Sequence, residues 1–449
     1  MKKLFVLSIV VLILSSYFHF NDKYDLNASN DFFEFYNDDW KLIKIMVNKE
    51  DVLSHQEELV QFSEEYQRVN YNEYIYCDIH IVTSDSQTVI ENVGFRLQGR
   101  SNRRPTLHEN GEVEAVNYKL KFNEFEKGLR FADQDEMILK KVRHYTSFIE
   151  EFYSLNFLNE VGVTAPKATM VEVELYINDT VYDLGLYSAI EALGDEFLTK
   201  RYPTHTKGNL LYKEGIGQDI ANISSDKDIL EEFFGYAKWS DKVNYPFTLK
   251  NNKKLDNHDQ IIELFESLYD YDNDELAKYL EENFEVDKLL KMLAVNYLVG
   301  NVDDYRSGSN NYYLYFNTND KWEIIPHDYD NAIGQGWTNE EYWTWEDITN
   351  ADFDKWPYFT WNSRIQQKPL SLKLLEIPKY QKQYIEYIKN FTDNDNFYFN
   401  IESFNDQLDI VRNNYSHLKE LDKMNSNIQE KYIINKTKKV NFNLEKVQD

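Results

Sequence analysis

The chain contains very little cysteine, because Cys77 is the only thiol among its 449 residues. A single cysteine excludes a disulfide bond within the chain, and it excludes a metal centre built from several thiolates. Cys77 lies in residues 74–82, a run of β-branched and aromatic residues that is typical of a strand. We therefore expect Cys77 to be a buried structural thiol.

Positive charge is also scarce, since 49 Lys and Arg residues face 77 Asp and Glu residues and leave a formal net charge of −28. A chain this acidic repels phosphate groups, which argues against nucleic acid or an anionic membrane as the main partner and favours a basic protein. Hydrophobic residues are plentiful: they make up 42% of the chain and include 34 Tyr and 28 Phe residues. This composition excludes a disordered chain, and the length predicts two or three structural units.

The amino terminus has the charged start and the apolar run of an export signal. Met1 is followed by two lysines, and residues 4–20 are apolar except for Ser and His. An Ala-x-Ala cleavage site is missing, so an uncleaved anchor stays open beside a cleaved signal, and no cysteine follows that would make a lipoprotein. The run is near the lower limit of length for spanning a bilayer. We predict an exported or membrane-anchored protein.

Glycine is missing where a calcium-binding loop would need it. Residues 270–281 have the acidic spacing of an EF-hand loop, but the sixth position is Glu275 instead of the required Gly. The same residues are also typical of a capped helix start at Asp274. We therefore do not expect a calcium site there.

The densest group of polar side chains lies in residues 300–334. Two short aromatic or β-branched runs, at residues 312–316 and 322–325, flank a segment at 317–320 with the composition of a turn. This pattern predicts a β-hairpin with acidic and amide residues at its open end.

The predicted hairpin brings Asn311 across from about Pro326. Asp328 lies two positions further along, roughly 7 Å by strand rise. An amide oxygen and a carboxylate at one end of a sheet can share one hard cation, and Mg²⁺ suits such a site. The hairpin therefore predicts a metal site at Asn311 and Asp328, with Asp303 and Asp304 facing the same cation or a nucleophile beside it.

Protein kinases use the same parts in the same order: an Asp that accepts the proton of the substrate hydroxyl, an Asn a few residues later, and a second Asp after a β-hairpin. The HRD and DFG motifs are absent, so this would be an atypical kinase. The chain resembles the spore coat protein H (CotH) kinases over roughly residues 75–335. The similar segments are GVRLRGxSS at residues 93–101, YKLKF at 118–122, GxYxxxE at 185–191, GNxD at 300–303, the Asn and YxLY-like strand at 311–315, and PxDxDxxxG at 326–334.

The resemblance implies an α+β, atypical protein-kinase-like two-lobed fold, with an antiparallel-sheet N-lobe and a mainly helical C-lobe. It implies ATP as the nucleotide and Mg²⁺ or Mn²⁺ as the metal, held by Asn311, Asp328 and Asp330, with Asp330 bound directly or through water. Asp303 holds the fourth place of GNxD and is the expected catalytic base. Residues between it and Asn311 look inserted, however, so Asp304 competes for that role.

Five upstream residues are predicted to bind the nucleotide. Lys119 and Lys121 alternate with apolar residues on a strand, so they face either the phosphates or solvent. Arg96 and Arg100 concentrate positive charge, which suits bidentate phosphate binding, although a solvated turn would look the same. Glu191 pairs with a strand Lys as in kinases, or it lies in the first turn of the following helix.

We predict five regions along the chain. They are a signal at residues 1–20, a polar linker at 21–39, a nucleotide-binding N-lobe at 40–216, a C-lobe with the catalytic loop and the metal hairpin at 217–430, and a mobile or peripheral tail at 431–449. Strand-like runs at residues 75–83, 93–98, 118–122, 137–141 and 169–177 predict an antiparallel sheet. Apolar residues at helical spacing predict helices at residues 147–160, 229–239, 256–269, 274–283, 286–299, 378–390 and 401–423.

The resemblance implies transfer of the γ-phosphoryl group of ATP to a Ser or Thr hydroxyl of a protein, including the chain itself. Two alternatives stay open: a kinase-fold enzyme that transfers a nucleotidyl group or ligates an amino acid, and a non-catalytic surface binding protein. Because ATP is scarce outside cells, a spore-associated or other enclosed compartment is the alternative to the open cell surface.

Overall fold

The computed structural model shows an α+β protein that divides into two compact units. Unit 1 contains residues 1–141 and 169–192, and unit 2 contains residues 142–168 and 193–449. The predicted boundary after residue 216 differs from this division, because residues 142–168 and 193–216 belong with the helical part of the chain. The residues that the structure describes are 32–34, 40–66, 71–99, 103–142, 149–206, 209–214, 228, 231–232, 234–235, 245–252, 254–255, 257–335, 344–353, 360–361, 364–365, 369–393, 395–396 and 398–448.

Unit 1 is built on a closed β-barrel. Its strands are β1 (Lys41–Val47), β2 (Ile75–Thr83), β3 (Gln87–Leu97), β4 (Tyr118–Lys121), β5 (Glu136–Lys141), β6 (Ala168–Ile177) and β7 (Thr180–Glu191). The pairs from β1 through β5 to β7 are antiparallel. The antiparallel order of β2 to β5 was predicted, whereas β1 was not. The sheet then closes, because β6 lies beside β7 and pairs in parallel with β1. Closure removes the exposed edges that an open N-lobe sheet would have.

Alternation along the strands decides which side chains the barrel buries. In β4, Tyr118 and Leu120 are buried, whereas Lys119 and Lys121 lie half-buried on the other face, as predicted. Cys77 on β2 is buried, which confirms that expectation. Helix α1, which spans Lys49–Tyr66, follows β1 and contributes apolar side chains to the core.

The predicted linker at residues 21–39 contributes to the core where the structure describes it. Phe32 and Phe33 are buried, and the Phe32 ring packs edge-on against Phe131 with a centroid distance of 4.9 Å. The Lys41 ammonium donates a hydrogen bond to the carbonyl of Glu34 at 3.0 Å. Two buried aromatic rings therefore hold residues 32–34 on unit 1, and the rest of the predicted linker lies outside the described residues.

Unit 2 contains a sheet formed by β8 (Leu211–Glu214), β9 (Phe234–Gly235), β10 (Phe247–Leu249), β11 (Tyr312–Phe316) and β12 (Trp322–Pro326), and a short ribbon formed by β13 (Thr360–Trp361) and β14 (Arg364–Ile365). The sheet order is β12-β11-β8-β10-β9. Strand β9 lies within the predicted helix at residues 229–239, of which the structure describes only 231–232 and 234–235. Phe234 pairs with Phe247 and is buried, so tertiary packing overrides the helical spacing there.

The predicted hairpin is present as β11 and β12. Its register differs from the prediction by one residue, since Tyr312 rather than Asn311 pairs with Pro326. The cause is the side chain of Asn317, which accepts hydrogen bonds from two backbone amides of the turn and lengthens the connection. Asn311 consequently lies across from His327, whose amide donates to the Asn311 carbonyl at 2.9 Å.

Unit 2 is mainly helical. Its helices are α2 (Glu150–Glu160), α3 (Asp195–Arg201), α4 (Asp259–Asp270), α5 (Asn273–Asn283), α6 (Val286–Val299), α7 (Tyr305–Gly308), α8 (Trp345–Asn350), α9 (Pro369–Glu376), α10 (Pro378–Phe391), α11 (Ile401–Asn414) and α12 (Asn427–Gln448), with a 3₁₀ turn at Leu421–Lys423. Of the helices that the structure describes, none combines the length and apolarity that crossing a bilayer requires. The predicted signal at residues 1–20 lies outside the described residues.

Helix α12 corrects the predicted tail at residues 431–449. Tyr432 and Val440 are buried in unit 2, and the buried Lys436 ammonium donates to the carbonyl of Ile348 at 2.9 Å. The lysines of this segment hide its helical spacing in the sequence, because a lysine stem can be buried when its ammonium finds an acceptor. One face of α12 is therefore part of the core of unit 2.

Candidate active site

The predicted catalytic loop begins where α6 ends. Gly300 adopts the left-handed conformation with φ 66°, which ends the helix. The next side chain, Asn301, is fully buried. Its Oδ1 accepts a hydrogen bond from the amide of Asp303 at 3.0 Å, and its Nδ2 donates to the carbonyl of Asp328 at 3.1 Å. One amide side chain thus ties the loop of Asp303 to the loop of Asp328.

Asp303 has the environment of a proton acceptor. Burial raises the pKa of Asp303 to about 6; the negative charges of Asp328 and Asp330 add to the rise, and a hydrogen bond from Asn310 opposes it. That hydrogen bond joins Asn310 Nδ2 to Asp303 Oδ1 at 2.9 Å.

Asp304 has a different place from its neighbour. It is buried, and it is the N-cap residue of α7, where its Oδ1 accepts a hydrogen bond from the amide of Ser307 at 2.7 Å. The segment that looks inserted in the sequence is this single helical turn. Arg306 anchors the turn, since its buried guanidinium donates to the hydroxyl of Tyr384 at 2.7 Å. These contacts give Asp304 a structural position and leave Asp303 as the partly exposed carboxylate.

Asn311 is oriented by its own hydrogen bond. Its Nδ2 donates to the carbonyl of Asp303 at 2.7 Å. A carbonyl can only accept, so this contact fixes which end of the amide points at the loop and turns Oδ1 away from it. Asn311 also has a left-handed backbone with φ 58°, a conformation that Asn adopts more readily than most residues. Its amide oxygen is therefore available as a ligand for a hard cation.

Asp328 and Asp330 flank a buried anchor. Tyr329 is fully buried, and its hydroxyl donates to Oδ1 of Asn296 at 2.6 Å. Asp328 has a left-handed backbone with φ 64°, while Asp330 accepts a hydrogen bond from Nδ2 of Asn331 at 2.9 Å. The Tyr329 anchor holds the short segment in place with both acids partly exposed.

Sequence reasoning missed a third acid, Glu151, which lies beside Asp328 and Asp330. One carboxylate oxygen of each of these residues lies within 4.8 Å of the other two. Glu151 is buried in the first turn of α2, a helix that was predicted without a functional residue. Acidic residues in a first helical turn usually complement the helix dipole, so nothing in the local pattern indicates a ligand. Only the fold of unit 2 brings it to the other two acids.

The donor set of this cluster fits Mg²⁺ or Mn²⁺. Three carboxylates supply hard oxygen ligands, which is the kind that both ions prefer. Asn311, which lies across the hairpin from His327, carries an amide oxygen of the same kind. Like charges at this separation repel one another, and a divalent cation relieves that repulsion. Glu151, Asp328 and Asp330 are therefore the residues that would hold the metal.

The predicted nucleotide-binding lysines both have carboxylate partners in unit 1. Lys119 forms an ion pair with Glu136, which lies on β5. Lys121 forms an ion pair with Glu124 at 2.7 Å, and its ammonium lies 5.4 Å from the centroid of the Tyr74 ring. The two lysines are thus neither simply solvated nor equivalent.

Three further predicted residues have separate outcomes. The guanidinium of Arg96 is buried, donates to the carbonyl of Leu97 at 2.7 Å, and lies 5.0 Å from the centroid of the Tyr74 ring. Arg100 lies outside the described residues. Glu191 is the last residue of β7, where it is buried and accepts a hydrogen bond from Gln134 at 3.4 Å. The alternative that placed Glu191 in a helical turn is wrong, because α3 begins only at Asp195.

Comparison with protein families identifies the relationship. The model of the family described as CotH kinase protein matches residues 96–449. The chain belongs to the CotH kinase family. This finding confirms the resemblance seen in the sequence, and the CotH match extends past residue 335 through α12.

Individual relatives of this CotH-family chain are distant. Invasin CotH3 of Rhizopus delemar is 26% identical over 226 residues, a match that covers 47% of this chain and 34% of the relative, so the chain spans about a third of the relative's length. The proinflammatory kinase CtkA of Helicobacter pylori matches with a TM-score of 0.28 and 10% identity, covering 75% of this chain and 93% of that one. The HipA, HipB and operator DNA complex of Shewanella oneidensis MR-1 matches with a TM-score of 0.29 and 11% identity, covering 77% and 66%. Structural scores this low support no argument about mechanism.

Proposed function

We propose that the chain is a metal-dependent phosphotransferase that moves the γ-phosphoryl group of ATP to a Ser or Thr hydroxyl of a protein. Membership of the CotH kinase family supports the kinase-like class. The observation that carries the proposal is the buried amide of Asn301, which ties Asp303 to the loop of Asp328. A kinase keeps two such acids in a set relation, one at the acceptor hydroxyl and one at the metal.

Each residue of the candidate site has one role in this proposal. Asp303 accepts the proton of the acceptor hydroxyl. Asn311 Oδ1 and the carboxylates of Asp328, Asp330 and Glu151 hold Mg²⁺ or Mn²⁺. The bound metal supplies positive charge that neutralises the phosphate oxygens.

The nucleotide-binding roles of Lys119, Lys121, Arg96, Arg100 and Glu191 remain predictions within this proposal, as does the two-lobed kinase-like arrangement. Kinases orient the phosphate-binding lysine with a glutamate. The ion pair between Lys119 and Glu136 favours Lys119 for that role, with Glu136 in place of Glu191 as the orienting acid.

We also propose an exported or enclosed setting and a protein acceptor. The chain carries 77 acidic against 49 basic side chains, so a basic protein segment would be attracted to it. The membrane-anchoring or signal role of residues 1–20 stays a prediction from their sequence.

The proposal is tested by transfer of label from [γ-³²P]ATP to the chain and to a basic acceptor protein, in Mg²⁺ or Mn²⁺. The variants are Asp303→Asn and Asp328→Asn, and the control is Asp320→Asn, an exposed residue in the turn at the other end of the same hairpin. Either site variant should lower transfer by at least about 100-fold, because each removes a group that acts in the transition state. The control should transfer at the wild-type rate.

Intact mass of the product separates the alternatives. Added AMP or a ligated amino acid would replace the phosphotransfer proposal with nucleotidyl transfer or ligation. If the wild type neither binds ATP nor modifies any acceptor, the chain is a binding protein instead. Transfer that survives in Asp303→Asn and Asp328→Asn would show that the assigned site is wrong.

A further inference from the structure

Helix α12 packs directly beneath the candidate site. The hydroxyl of Tyr432 donates to the carbonyl of Leu298 at 2.9 Å, in the last turn of α6 and just before the predicted catalytic loop. A Cβ atom placed on Gly334 would lie 3.2 Å from Ile428 Cγ2 and 3.3 Å from Tyr432 Cβ. Both ends of the segment that carries Asp303 and Asp328 therefore rest on α12.

A second contact of α12 reaches the helix that carries Glu151. Nε2 of Gln429 donates to Oε1 of Glu150 at 2.9 Å, and both side chains are buried. Glu150 and Glu151 are consecutive residues in the first turn of α2. The N-cap residue of that helix, Ile149, has no side-chain oxygen that could cap the turn. The hydrogen bond from Gln429 is thus placed to hold the end of the helix from which Glu151 projects.

The chemistry of residue 429 suits this contact. Only a donor can satisfy a buried carboxylate, and a carboxylate at this position would repel Glu150. Within the described residues, Oε1 of Gln429 is buried without a hydrogen-bond partner. The chain therefore retains a polar side chain here although half of its amide is unsatisfied, a cost that an apolar residue would avoid.

We propose that Gln429 is a positioning residue for the metal cluster: it holds Glu150 and thereby aims Glu151 at Asp328 and Asp330. The inference rests on the proposed metal site and extends it to a residue outside the loops and far along the chain. Side chains that orient metal ligands commonly change metal affinity by 10- to 100-fold when they are replaced.

The test is a calorimetric titration of the full chain with Mn²⁺, which measures binding without relying on activity. Gln429→Met keeps the length of the side chain and removes its hydrogen bonds. We expect Mn²⁺ to bind about tenfold more weakly to this variant. The matched control is Lys439→Met, which removes another hydrogen bond of α12, from Lys439 Nζ to Asp352 at 2.8 Å. The control should lose thermal stability but keep the Mn²⁺ affinity of the wild type.

Glu150→Gln is the conservative partner variant. Its amide can accept from Gln429 Nε2 and can donate to the unsatisfied Gln429 Oε1, so the contact survives without the charge. We expect Glu150→Gln to bind Mn²⁺ within about threefold of the wild type, and this variant tests the inference if Gln429→Met fails to fold. Glu150→Leu, which cannot form the contact, should weaken binding as Gln429→Met does.

Three results would overturn the inference: unchanged Mn²⁺ affinity in Gln429→Met, equal weakening in Lys439→Met, or equal affinity in Glu150→Gln and Glu150→Leu. Failure of the wild type to bind Mn²⁺ would overturn the metal site and this inference together. If the wild type binds Mn²⁺ but transfers no phosphoryl group, only the proposed function fails, and the affinities of the Gln429 and Glu150 variants still decide the positioning role.

Discussion

Two adjacent aspartates in the predicted catalytic loop have different surroundings. The GNxD pattern favours Asp303, but the sequence leaves Asp304 in competition. In the structure Asp304 caps the turn α7 and Asp303 stays partly exposed beside Asn310. The difference arises because an N-cap carboxylate uses its oxygen on a backbone amide, which leaves it poorly placed to accept a proton from a substrate.

Substituting Asn at each position separates the two roles. Asp304→Asn should keep transfer activity within about threefold of the wild type, because Asn caps a helix as well as Asp does. Asp303→Asn should lower activity by at least about 100-fold while its melting temperature stays close to that of the wild type, since Asn cannot accept the proton. The measurement is the transfer rate together with thermal melting of both variants. The opposite pattern would assign the base to Asp304.

The ion pair between Lys119 and Glu136 makes stability depend on pH. Burial raises the pKa of Glu136, but the Lys119 ammonium outweighs burial and holds the pKa below its usual value. Such a group stabilises the fold above its unfolded pKa of about 4.3, and the contribution is lost as the pH falls through the lower folded value. Lys119→Met should therefore lower the free energy of unfolding by about 1–3 kcal/mol at pH 7 and by less below about pH 4.

Urea unfolding at several pH values checks this expectation. The control is Lys121→Met, whose partner Glu124 lies three residues along in a more open position. An ion pair of that kind contributes under about 1 kcal/mol. Equal losses in the two variants, or a Lys119→Met loss that does not change with pH, would contradict the assigned pair.

Among the secondary structure elements, the best predicted ones are those with strong local patterns. Helix α6 and strand β2 have the predicted bounds, because apolar spacing and β-branched composition are local properties. The hairpin was predicted at the correct place in the chain, but its register is shifted by one residue, since the side chain of Asn317 sets the length of the turn. Helix α12 was not predicted, because its buried face includes Lys436 and therefore lacks a continuous apolar pattern in the sequence.

Gly300 allows α6 and α12 to approach closely. A Cβ atom at Gly300 would collide with the hydroxyl of Tyr432, and φ is already 66°. Gly300→Ala should lower the free energy of unfolding by about 3 kcal/mol, of which about 1 kcal/mol comes from the left-handed backbone. Gly111→Ala is the matched control, because Gly111 has φ 82° and a Cβ there would meet no described atom within 4 Å. Chemical unfolding measures both variants. Equal losses of unfolding free energy would show that Tyr432 moves aside without cost.

The division of the chain into units depends on contacts between distant segments. The α+β class and the CotH family follow from the sequence; the observed elements support the class, and the family match supports the family. The barrel of unit 1 closes through a parallel pair between β1 and β6, more than a hundred residues apart. Local patterns cannot predict such a pairing, because it depends on how the twist of the sheet brings its first and last strands together.

Shortening the chain tests whether α12 is part of the fold of unit 2. Removal of residues 431–449 exposes the apolar surface under Tyr432 and Val440 and should abolish cooperative melting. Removal of residues 445–449 takes away only the end of the helix, where Glu445 and Lys446 are exposed, and should change the melting temperature by only a few degrees. Circular dichroism during heating measures both. If the protein without residues 431–449 still melts cooperatively, the prediction of a peripheral tail is right and α12 is not needed for the fold of unit 2.

The sequence by itself determined the order of Asp303, Asn311 and Asp328, the hairpin between Asn311 and Asp328, and the family. These depend on residues close together in the chain, where motif spacing and strand alternation are sufficient. Only the tertiary structure decided that Glu151 joins Asp328 and Asp330, that the barrel closes, and that α12 packs against the candidate site. Each of these joins segments that are far apart in the chain, and their contacts exist only once the units have packed.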